Sequence, residues 1–323
     1  ILLSPVLAGE KTIDEIMLNE EQWYRDNNIT LYKGKTIVEI NRKQRKVITD
    51  DGDSYDYDRL LIATGSDPFI IPVPGAELPG VIPFRDIADV DSMLDAAKNY
   101  RHAVVIGGGL LGLEAANGLM KQGMKVSVVH LMDTLMERQL DSVAGKMLKK
   151  ELQERGIEFL LQASTKEIIG RDRVQGIVLE DGREITADIV VMAVGIRPST
   201  ELAKKANIFT ERGIVVSDTM QTYDPAIYAV GECVQHRGDT YGLVAPLFEQ
   251  AKVCANHLAQ LGYAKYEGSM VSTKLKVTGI DLFSAGDFTG DEDTEEIVMQ
   301  DASGGVYKKV VIKDNRIQGA VLY

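Results

Sequence analysis

The sequence is poor in cysteine and histidine, and this scarcity excludes several classes of protein. Its 323 residues include two cysteines, Cys233 and Cys254, and four histidines. The cysteines lie far apart and form no C-x-x-C pair, so we expect neither a disulfide framework nor a redox-active dithiol. The histidines form no H-x-x-x-H or H-E-x-x-H pattern, and no G-x-S-x-G elbow is present. We therefore predict no protein-ligated metal and no catalytic side-chain nucleophile.

The chain also lacks an excess of basic residues and any long apolar run. It has 36 Lys and Arg against 48 Asp and Glu, which gives a net charge of −12 at pH 7. Nucleic acid and anionic membranes attract clustered Lys and Arg, so we expect neither partner. No apolar run reaches the roughly 18 residues that a membrane span needs. No basic segment precedes the apolar residues 1–7, so no signal peptide is predicted, and the cytoplasm is the expected location.

The sequence does contain a strand–loop–helix–strand order at residues 103–129. An apolar run leads into Gly107, Gly109 and Gly112, which match G-x-G-x-x-G, and a helical stretch and a second apolar strand follow. In such a loop the first glycine permits the tight turn, the second lets a pyrophosphate approach the backbone, and the third allows close helix packing. The phosphate then lies at a helix N-terminus, where anions are favoured. The pattern predicts a Rossmann-type dinucleotide site.

An internal repeat indicates a second, related unit. Two Asp-Gly turns are each followed by an apolar run and a glycine, at Ala63-Thr64-Gly65 and again at Ala193-Val194-Gly195. Each copy predicts an antiparallel strand pair and then a buried strand that ends where a ligand can approach the backbone. The later copy opens with the loop at Gly107. The same spacing before Gly65 falls upstream of Ile1, so we expect the first unit to lack its own glycine loop.

Two further strand ends carry polar side chains. His130 stands where such units place an acid for the ribose of NAD, or have a basic residue nearby for the phosphate of NADP, so the choice of nucleotide stays open. Packing of His130 on an adenine, exposure to solvent and pairing with a phosphate are all compatible with the sequence. After the apolar residues 227–230, Gly231 and Glu232 bring a turn and a carboxylate to a strand end. That carboxylate can accept a hydrogen bond from a ribitol or ribose hydroxyl.

Periodicity and turn residues predict the remaining elements. Helices are expected at residues 13–27, 86–99, 140–155 and 245–261. Strands are expected at residues 36–40, 46–49, 213–216 and 227–230. The pattern becomes β-rich from residue 270 on, with strands predicted at 274–277, 282–285, 296–300 and 307–312.

Together these features resemble the pyridine-nucleotide-disulphide oxidoreductase superfamily, and within it the flavin modules of NAD(P)H-dependent nitrite reductases. The resemblance covers nearly the whole chain and rests on LSPVLAGE (3–10), VHLM (129–132), LMERQLD (135–141), AVGEC (229–233), YGLVAP (241–246) and KLKVTG (274–279). It implies an α/β fold with two Rossmann-like domains, the first incomplete, and a small α+β C-terminal domain. We expect an FAD-binding domain at residues 1–74 and 197–262, an NAD(P)-binding domain at 75–196, and an interface domain at 263–323.

The resemblance also implies which residues bind the cofactors. The NAD(P) side comprises Gly107, Gly109, Leu110, Leu111, Gly112, Glu114, His130 and Gly195. The FAD side comprises Ser4, Pro5, Lys11, Val38, Ala63, Thr64, Gly65, Arg85, Gly231 and Glu232.

The implied activity is hydride transfer from NAD(P)H to FAD, with electrons passing on to an iron–sulfur centre and sirohaem that reduces nitrite. Those centres belong to domains outside this chain, which contains no cysteine cluster. The implied partners are NAD(P)H and a downstream redox domain or acceptor protein, and a homodimer is compatible with the family. Two alternatives stay open: a free-standing ferredoxin or rubredoxin reductase, and a truncated NAD(P)-binding fragment without activity. Whether the chain retains FAD is open too, because the first glycine loop is missing.

Overall fold

The computed structural model describes residues 2–301 and 304–323, which fall into two compact units. The described residues of Ile1–Ile16, Pro68–Gly195 and Ser272–Tyr323 form the first unit, and Met17–Asp67 and Ile196–Val271 form the second. Throughout these described residues, every helix is too short or too polar to span a bilayer. Nor do they bring together three or more His, Cys, Asp or Glu side chains in a group suited to a metal ion.

The α-helices are Leu3–Leu7 (α1), Glu21–Asp26 (α2), Ile87–Asn99 (α3), Leu110–Lys121 (α4), Ser142–Glu154 (α5), Glu201–Lys205 (α6) and Val244–Leu258 (α7), with a 3-10 turn at Asp14–Ile16. The strands are Ile37–Asn41 (β1), Lys46–Thr49 (β2), Ser54–Asp56 (β3), Leu60–Ile62 (β4), Ser66–Pro68 (β5), Val81–Pro83 (β6), His102–Ile106 (β7), Lys125–Val129 (β8), Glu158–Leu160 (β9), Thr165–Gly170 (β10), Val174–Leu179 (β11), Glu184–Thr186 (β12), Ile189–Met192 (β13), Ile196–Pro198 (β14), Ile214–Val216 (β15), Ile227–Ala229 (β16), Val234–His236 (β17), Ser272–Lys274 (β18), Phe283–Gly286 (β19), Glu295–Asp301 (β20), Val306–Lys313 (β21) and Arg316–Leu322 (β22).

The first unit is built on a five-stranded sheet in the order β6-β13-β7-β8-β9. All four strand pairings are parallel. Alternate residues of one strand point to opposite faces, and Val105 and Val104 of β7 accordingly belong to two different apolar clusters. Helices α3, α4 and α5 pack on the Val105 face, while the meander β10-β11-β12 covers the Val104 face. This doubly covered parallel sheet confirms the predicted Rossmann-like α/β fold.

The C-terminal residues form an antiparallel sheet in the order β18-β19-β22-β21-β20. It packs into the core of the first unit, because Leu282, Tyr307 and Val321 share an apolar cluster with α5. The Tyr307 hydroxyl donates to the Asp141 carboxylate at 2.6 Å, at the residue that caps α5. The predicted β-rich C-terminal segment is therefore confirmed.

The second unit contains an antiparallel meander, β1-β2-β3, and two parallel pairs, β4 with β16 and β15 with β17. Its core is formed by residues such as Ile62, Ile214 and Tyr228, with Cys233 and Cys254 also buried there. Within the described chain, β4 pairs with β16 alone. Leu61, in the middle of β4, is 44% exposed, so this short sheet leaves an apolar strand partly open.

Most predicted elements are confirmed within a few residues, but two predictions were wrong, and β22 is among the strands that the sequence did not predict. The helix expected at residues 13–27 is a 3-10 turn followed by the short α2, because α2 buries none of its residues and Leu18 is 77% exposed. The strand expected at 274–277 ends at Lys274, and Leu275 and Val277 enter the core without strand pairing. Strand β22 follows the two-residue turn Asp314–Asn315, in which both residues have positive φ, typical of hairpins.

The N-terminal segment packs within the first unit. Leu7 of α1 is fully buried, and a Cβ added to Gly118 of α4 would lie 2.7 Å from its Cγ. Gln122 donates a side-chain hydrogen bond to the Leu7 carbonyl at 2.9 Å. The expected domains place residues 1–16 with the FAD-binding part. That functional division stays a prediction, while the packing of α1 on α4 is what the structure shows.

Candidate functional site

The G-x-G-x-x-G segment joins β7 to α4, as the sequence predicts. Gly107 has φ +117°, a conformation that side chains rarely adopt, and a Cβ there would lie 2.3 Å from the Ala193 carbonyl oxygen. A Cβ on Gly112 would lie 2.0 Å from the Gly107 carbonyl oxygen. These two glycines are therefore required by the close approach of α4, β7 and the end of β13.

Gly109 is different, because nothing in the protein requires it to be glycine. Its φ of −81° is open to any residue, and a Cβ built on it meets no atom within 4 Å. Gly109 is also the N-cap of α4, and no side chain caps this helix, whereas Asp86 and Asp141 cap the neighbouring α3 and α5. Free N–H groups at a helix N-terminus favour an anion. The residues present therefore fit the pyrophosphate of a nicotinamide dinucleotide.

Other residues predicted for NAD(P) lie around this loop. Leu110 and Leu111 form the first turn of α4, and the Leu111 side chain is partly exposed. Gly195 follows β13, which is the parallel neighbour of β7, so both strands end at the same edge of the sheet. Gly195 has φ +120° and open space around its Cβ position. The loop, the first turn of α4 and Gly195 thus share the sheet edge where ligands bind in open α/β folds.

His130 follows β8 but is neither exposed nor directed away from the loop. The residue is 8% exposed, and its Nδ1 accepts a hydrogen bond from the Gly108 N–H at 3.0 Å. Its Nε2 lies 3.1 Å from the Thr134 carbonyl oxygen and 3.2 Å from the Glu137 carboxylate. Among the interpretations that the sequence left open, solvent exposure is therefore excluded, because the ring packs beneath the glycine loop.

Glu114 and Ser4, predicted for different cofactors, meet in the first unit. Glu114 lies on the inner side of α4 and is 4% exposed. The Ser4 hydroxyl donates to one carboxylate oxygen, and the Lys276 N–H donates to the other at 3.1 Å. Burial raises the pKa of Glu114, although both hydrogen bonds favour its charged form. This pair joins α1, α4 and the segment after β18.

The remaining residues predicted for FAD in the first unit are Pro5, Lys11 and Arg85. The Pro5 carbonyl accepts from the Lys11 N–H at 3.2 Å, and the Lys11 side chain is exposed. The Arg85 N–H donates to the Asp89 carboxylate at 2.6 Å, just before α3.

The other residues predicted for FAD lie in the second unit. Strands β4 and β16 are parallel, so the glycine turns that follow them, at Gly65 and Gly231, lie at the same end of this strand pair. Both glycines have positive φ, at 67° and 94°. The Glu232 carboxylate accepts from the Ser66 hydroxyl at 2.8 Å. This places Glu232 beside the Gly65 turn, as the repeat predicts.

Two further contacts shape these turns. The Thr64 hydroxyl donates to the Ser199 carbonyl at 2.8 Å, and the Gly231 N–H donates to the Gln250 side-chain oxygen at 3.0 Å. Val38 of β1 is 45% exposed. The glycine turns and Glu232 fit the flavin and ribitol part of FAD, but the sequence holds only one G-x-G-x-x-G loop, and that loop lies in the first unit.

Sequence reasoning missed Gly108, Ser66 and Gln250. Gly108 is a variable position of the glycine motif, so the motif does not single it out. Ser66 and Gln250 make contacts with residues far away in sequence, at Glu232 and Gly231. The sequence offered a signal for Ser66 alone among these three, because it directly follows a glycine turn that was predicted to approach a ligand.

Comparison with known proteins agrees with this geometry. Residues 1–257 match the family described as pyridine nucleotide-disulphide oxidoreductase, and residues 272–323 match the rubredoxin NAD+ reductase C-terminal domain. The nitrite reductase (NAD(P)H) of Bacillus subtilis is 54% identical over 323 residues, which is 100% of this chain and 40% of that protein. The assimilatory nitrate reductase electron transfer subunit of Bacillus subtilis is 47% identical over 323 residues, 100% of this chain and 42% of its own length. The chain thus spans less than half the length of these relatives.

Solved structures of related reductases have the same fold. The ferredoxin reductase of Rhodopseudomonas palustris superposes with a TM-score of 0.89 at 27% identity, covering 99% of this chain and 80% of that one. The NADH:rubredoxin oxidoreductase of Clostridium acetobutylicum gives 0.81 at 29% identity, with the same coverage of 99% and 80%. The chain therefore belongs to the pyridine nucleotide-disulphide oxidoreductase family, a family of NAD(P)H-dependent oxidoreductases that use FAD.

Proposed function

We propose that this chain takes hydride from NAD(P)H and serves as the electron-entry module of a nitrite reductase. The observation that carries the nucleotide-binding part is the open space at Gly109, in front of the uncapped N-terminus of α4. The nitrite acceptor is supported by the 54% identity to a nitrite reductase over the whole of this chain. The electrons would pass to an iron–sulfur centre and sirohaem in other domains.

In this proposal each part of the chain has a distinct task. The N–H groups at Gly109, Leu110 and Leu111 bind the pyrophosphate, while Gly107 and Gly112 keep the loop close to α4. FAD, when bound, supplies the conversion of a two-electron hydride into single electrons. The turns at Gly65 and Gly231 and the Glu232 carboxylate orient its flavin and ribitol part.

The proposal is tested in the full gene product with two electron donors. Gly109→Val should abolish nitrite reduction driven by NADH, because its side chain occupies the space of the pyrophosphate. The same variant should keep nitrite reduction driven by reduced methyl viologen, which needs no nucleotide site. Unchanged NADH-driven activity in Gly109→Val, or a wild type that never reduces nitrite with either donor, would contradict the proposal.

A second candidate is a reductase of ferredoxin or rubredoxin. It is favoured by the match of residues 272–323 to a rubredoxin reductase domain and by the two reductase structures described above. Purified rubredoxin and nitrite should be offered to the full gene product as competing acceptors with NADH as donor. Rubredoxin reduction without nitrite reduction would support this second candidate. For either acceptor, we propose that the protein works in the cytoplasm.

A further inference from the structure

Gly108, in the middle of the glycine loop, is held through both its N–H and its carbonyl by the segment that follows β8. Its N–H donates to His130 Nδ1 at 3.0 Å, and its carbonyl accepts from the Met136 N–H at 3.0 Å. Met136 is fully buried and has φ +52°. We call residues 130–136 the loop clamp, because they bind both the N–H and the carbonyl of Gly108, which belong to the two peptide groups on either side of it.

The clamp also fits Gly108 sterically. A Cβ on Gly108 would lie 2.7 Å from His130 Cγ, 2.8 Å from its Cδ2 and 2.9 Å from Leu135 Cδ2. These are distances that real Cβ contacts do not reach. The glycine at position 108 is therefore required by the imidazole ring beneath it, in contrast to Gly109, whose Cβ position is open.

The His130 ring is itself fixed at its other nitrogen. Because Nδ1 accepts from Gly108, the proton of the neutral ring resides on Nε2, as assigned from the hydrogen-bond network. Nε2–H then faces the Thr134 carbonyl at 3.1 Å and the Glu137 carboxylate at 3.2 Å. The ring thus links the loop backbone to a partner at the surface, and both of its nitrogens are used.

We propose that His130 is a positioning residue for the nicotinamide dinucleotide. By accepting from the Gly108 N–H, it fixes the peptide between Gly107 and Gly108, while Met136 holds the next peptide, between Gly108 and Gly109. The fixed entry to the loop directs the N–H groups at the start of α4 toward the pyrophosphate. Loss of this acceptor leaves a buried N–H without a partner and lets the loop reorient. The inference rests on the proposed nucleotide site, and His130 acts on that site through the loop backbone without contacting the nucleotide.

The test compares two substitutions of similar size and shape. In His130→Asn the side-chain oxygen takes the place of Nδ1 and keeps the acceptor, whereas His130→Leu fills the same space without one. We expect His130→Leu to weaken NADH binding by about tenfold, the effect of one hydrogen bond, and His130→Asn by less than about threefold. Isothermal titration of the 323-residue chain with NADH measures both dissociation constants.

A second measurement needs no nucleotide. Hydrogen exchange of the Gly108 amide should be slow in the wild type and in His130→Asn, and fast in His130→Leu. If His130→Leu does not fold, Glu137→Ala at the surface is the substitute, with an expected two- to threefold weaker affinity for NADH, roughly half the effect of a full hydrogen bond.

The outcomes separate this inference from the proposed function. Equal NADH affinity in His130→Leu and His130→Asn, or an affinity in Glu137→Ala equal to that of the wild type when that variant is used, would overturn the positioning role while leaving the nucleotide site intact. A wild type that does not bind NADH would overturn both. Weak binding in His130→Leu with near-normal binding in His130→Asn is the result that supports His130 as a positioning residue.

Discussion

At the scale of single residues, the glycines of the loop serve different purposes although they belong to one motif. Gly107 and Gly112 are required by backbone atoms 2.0–2.3 Å from their Cβ positions, and Gly108 by the His130 ring. Gly109 alone among these four has open space. The motif in the sequence predicts the loop but does not separate residues needed for folding from the residue needed for the ligand.

Replacing Gly109 or Gly112 by alanine should affect different properties: NADH affinity in the first case and stability in the second. Gly109→Ala should keep the unfolding temperature of the wild type, since its Cβ meets nothing, but should weaken NADH binding at least about tenfold. Gly112→Ala should lose about 1–3 kcal/mol of stability or more, because its Cβ would overlap the Gly107 carbonyl. Thermal unfolding and NADH titration of both variants check this. A strongly destabilised Gly109→Ala would show that the space at Gly109 is not open.

The buried carboxylate of Glu114 should make stability depend on pH. Because burial raises its pKa above the ordinary value of 4.5, the folded state holds a proton there more tightly than the unfolded state. The stability that this group contributes is complete below pH 4.5 and is lost as pH rises through the raised pKa. The difference in unfolding free energy between Glu114→Gln and the wild type should therefore move in favour of the variant between acidic and neutral pH.

Urea denaturation of the wild type and Glu114→Gln at several pH values measures this difference. The two proteins share all other titrating groups, so those contributions cancel in the comparison. A difference that is constant across pH would mean that Glu114 keeps an ordinary pKa in the folded protein.

At the scale of elements, the sequence predicted those helices, strands and turns that are formed by contacts between residues close together in the chain. The β7–loop–α4–β8 order follows from short apolar runs, glycines and helix length, and the structure has it where the sequence indicates. The helix predicted at residues 13–27 failed because periodicity alone does not supply a surface on which apolar residues can pack. The burial of His130 could not be predicted from the sequence either, because it depends on how residues 130–136 fold back onto the glycine loop. Long-range contacts of this kind leave no periodic trace in one sequence.

Helix α3 offers a clean test of an element boundary that the sequence did predict. The Asp86 side chain accepts from the Asp89 N–H at 2.9 Å, and the Asp89 carboxylate accepts from the Asp86 N–H at 3.1 Å, which completes a capping box. Asp86→Ala should cost about 1 kcal/mol of stability. Asp91→Ala, exposed in the same helix, is the matched control and should cost much less. Equal losses in chemical denaturation would rule out the cap as the cause.

At the scale of the whole molecule, the repeat and the family resemblance predicted more than composition did. They predicted two dinucleotide-binding parts and a β-rich C-terminal segment, and the family and its FAD and NAD(P)H chemistry are confirmed by the comparisons. The residues predicted for FAD, however, are divided between the two compact units: Ser4, Pro5, Lys11 and Arg85 are in the first, and the other six in the second. A linear sequence names such residues but does not show which of them pack together.

The strength of FAD binding by the 323-residue chain follows from what the second unit contains. Its flavin-side turns end β4 and β16, a strand pair that no G-x-G-x-x-G loop follows, and in the described residues β4 has no second neighbour. A dinucleotide pyrophosphate normally receives several hydrogen bonds to charged oxygens, each worth roughly 1.5–3 kcal/mol. Losing two or three of them lowers affinity by several orders of magnitude.

We therefore expect the purified chain to lose FAD on dialysis, while it still binds NADH through the loop at Gly109. The visible spectrum of the chain, before and after addition of FAD and dialysis, measures retention, and NADH titration of the same sample shows that the protein is folded. A stoichiometric flavin band that survives dialysis would mean that Gly65, Gly231 and Glu232, with their neighbours, hold FAD without a second glycine loop.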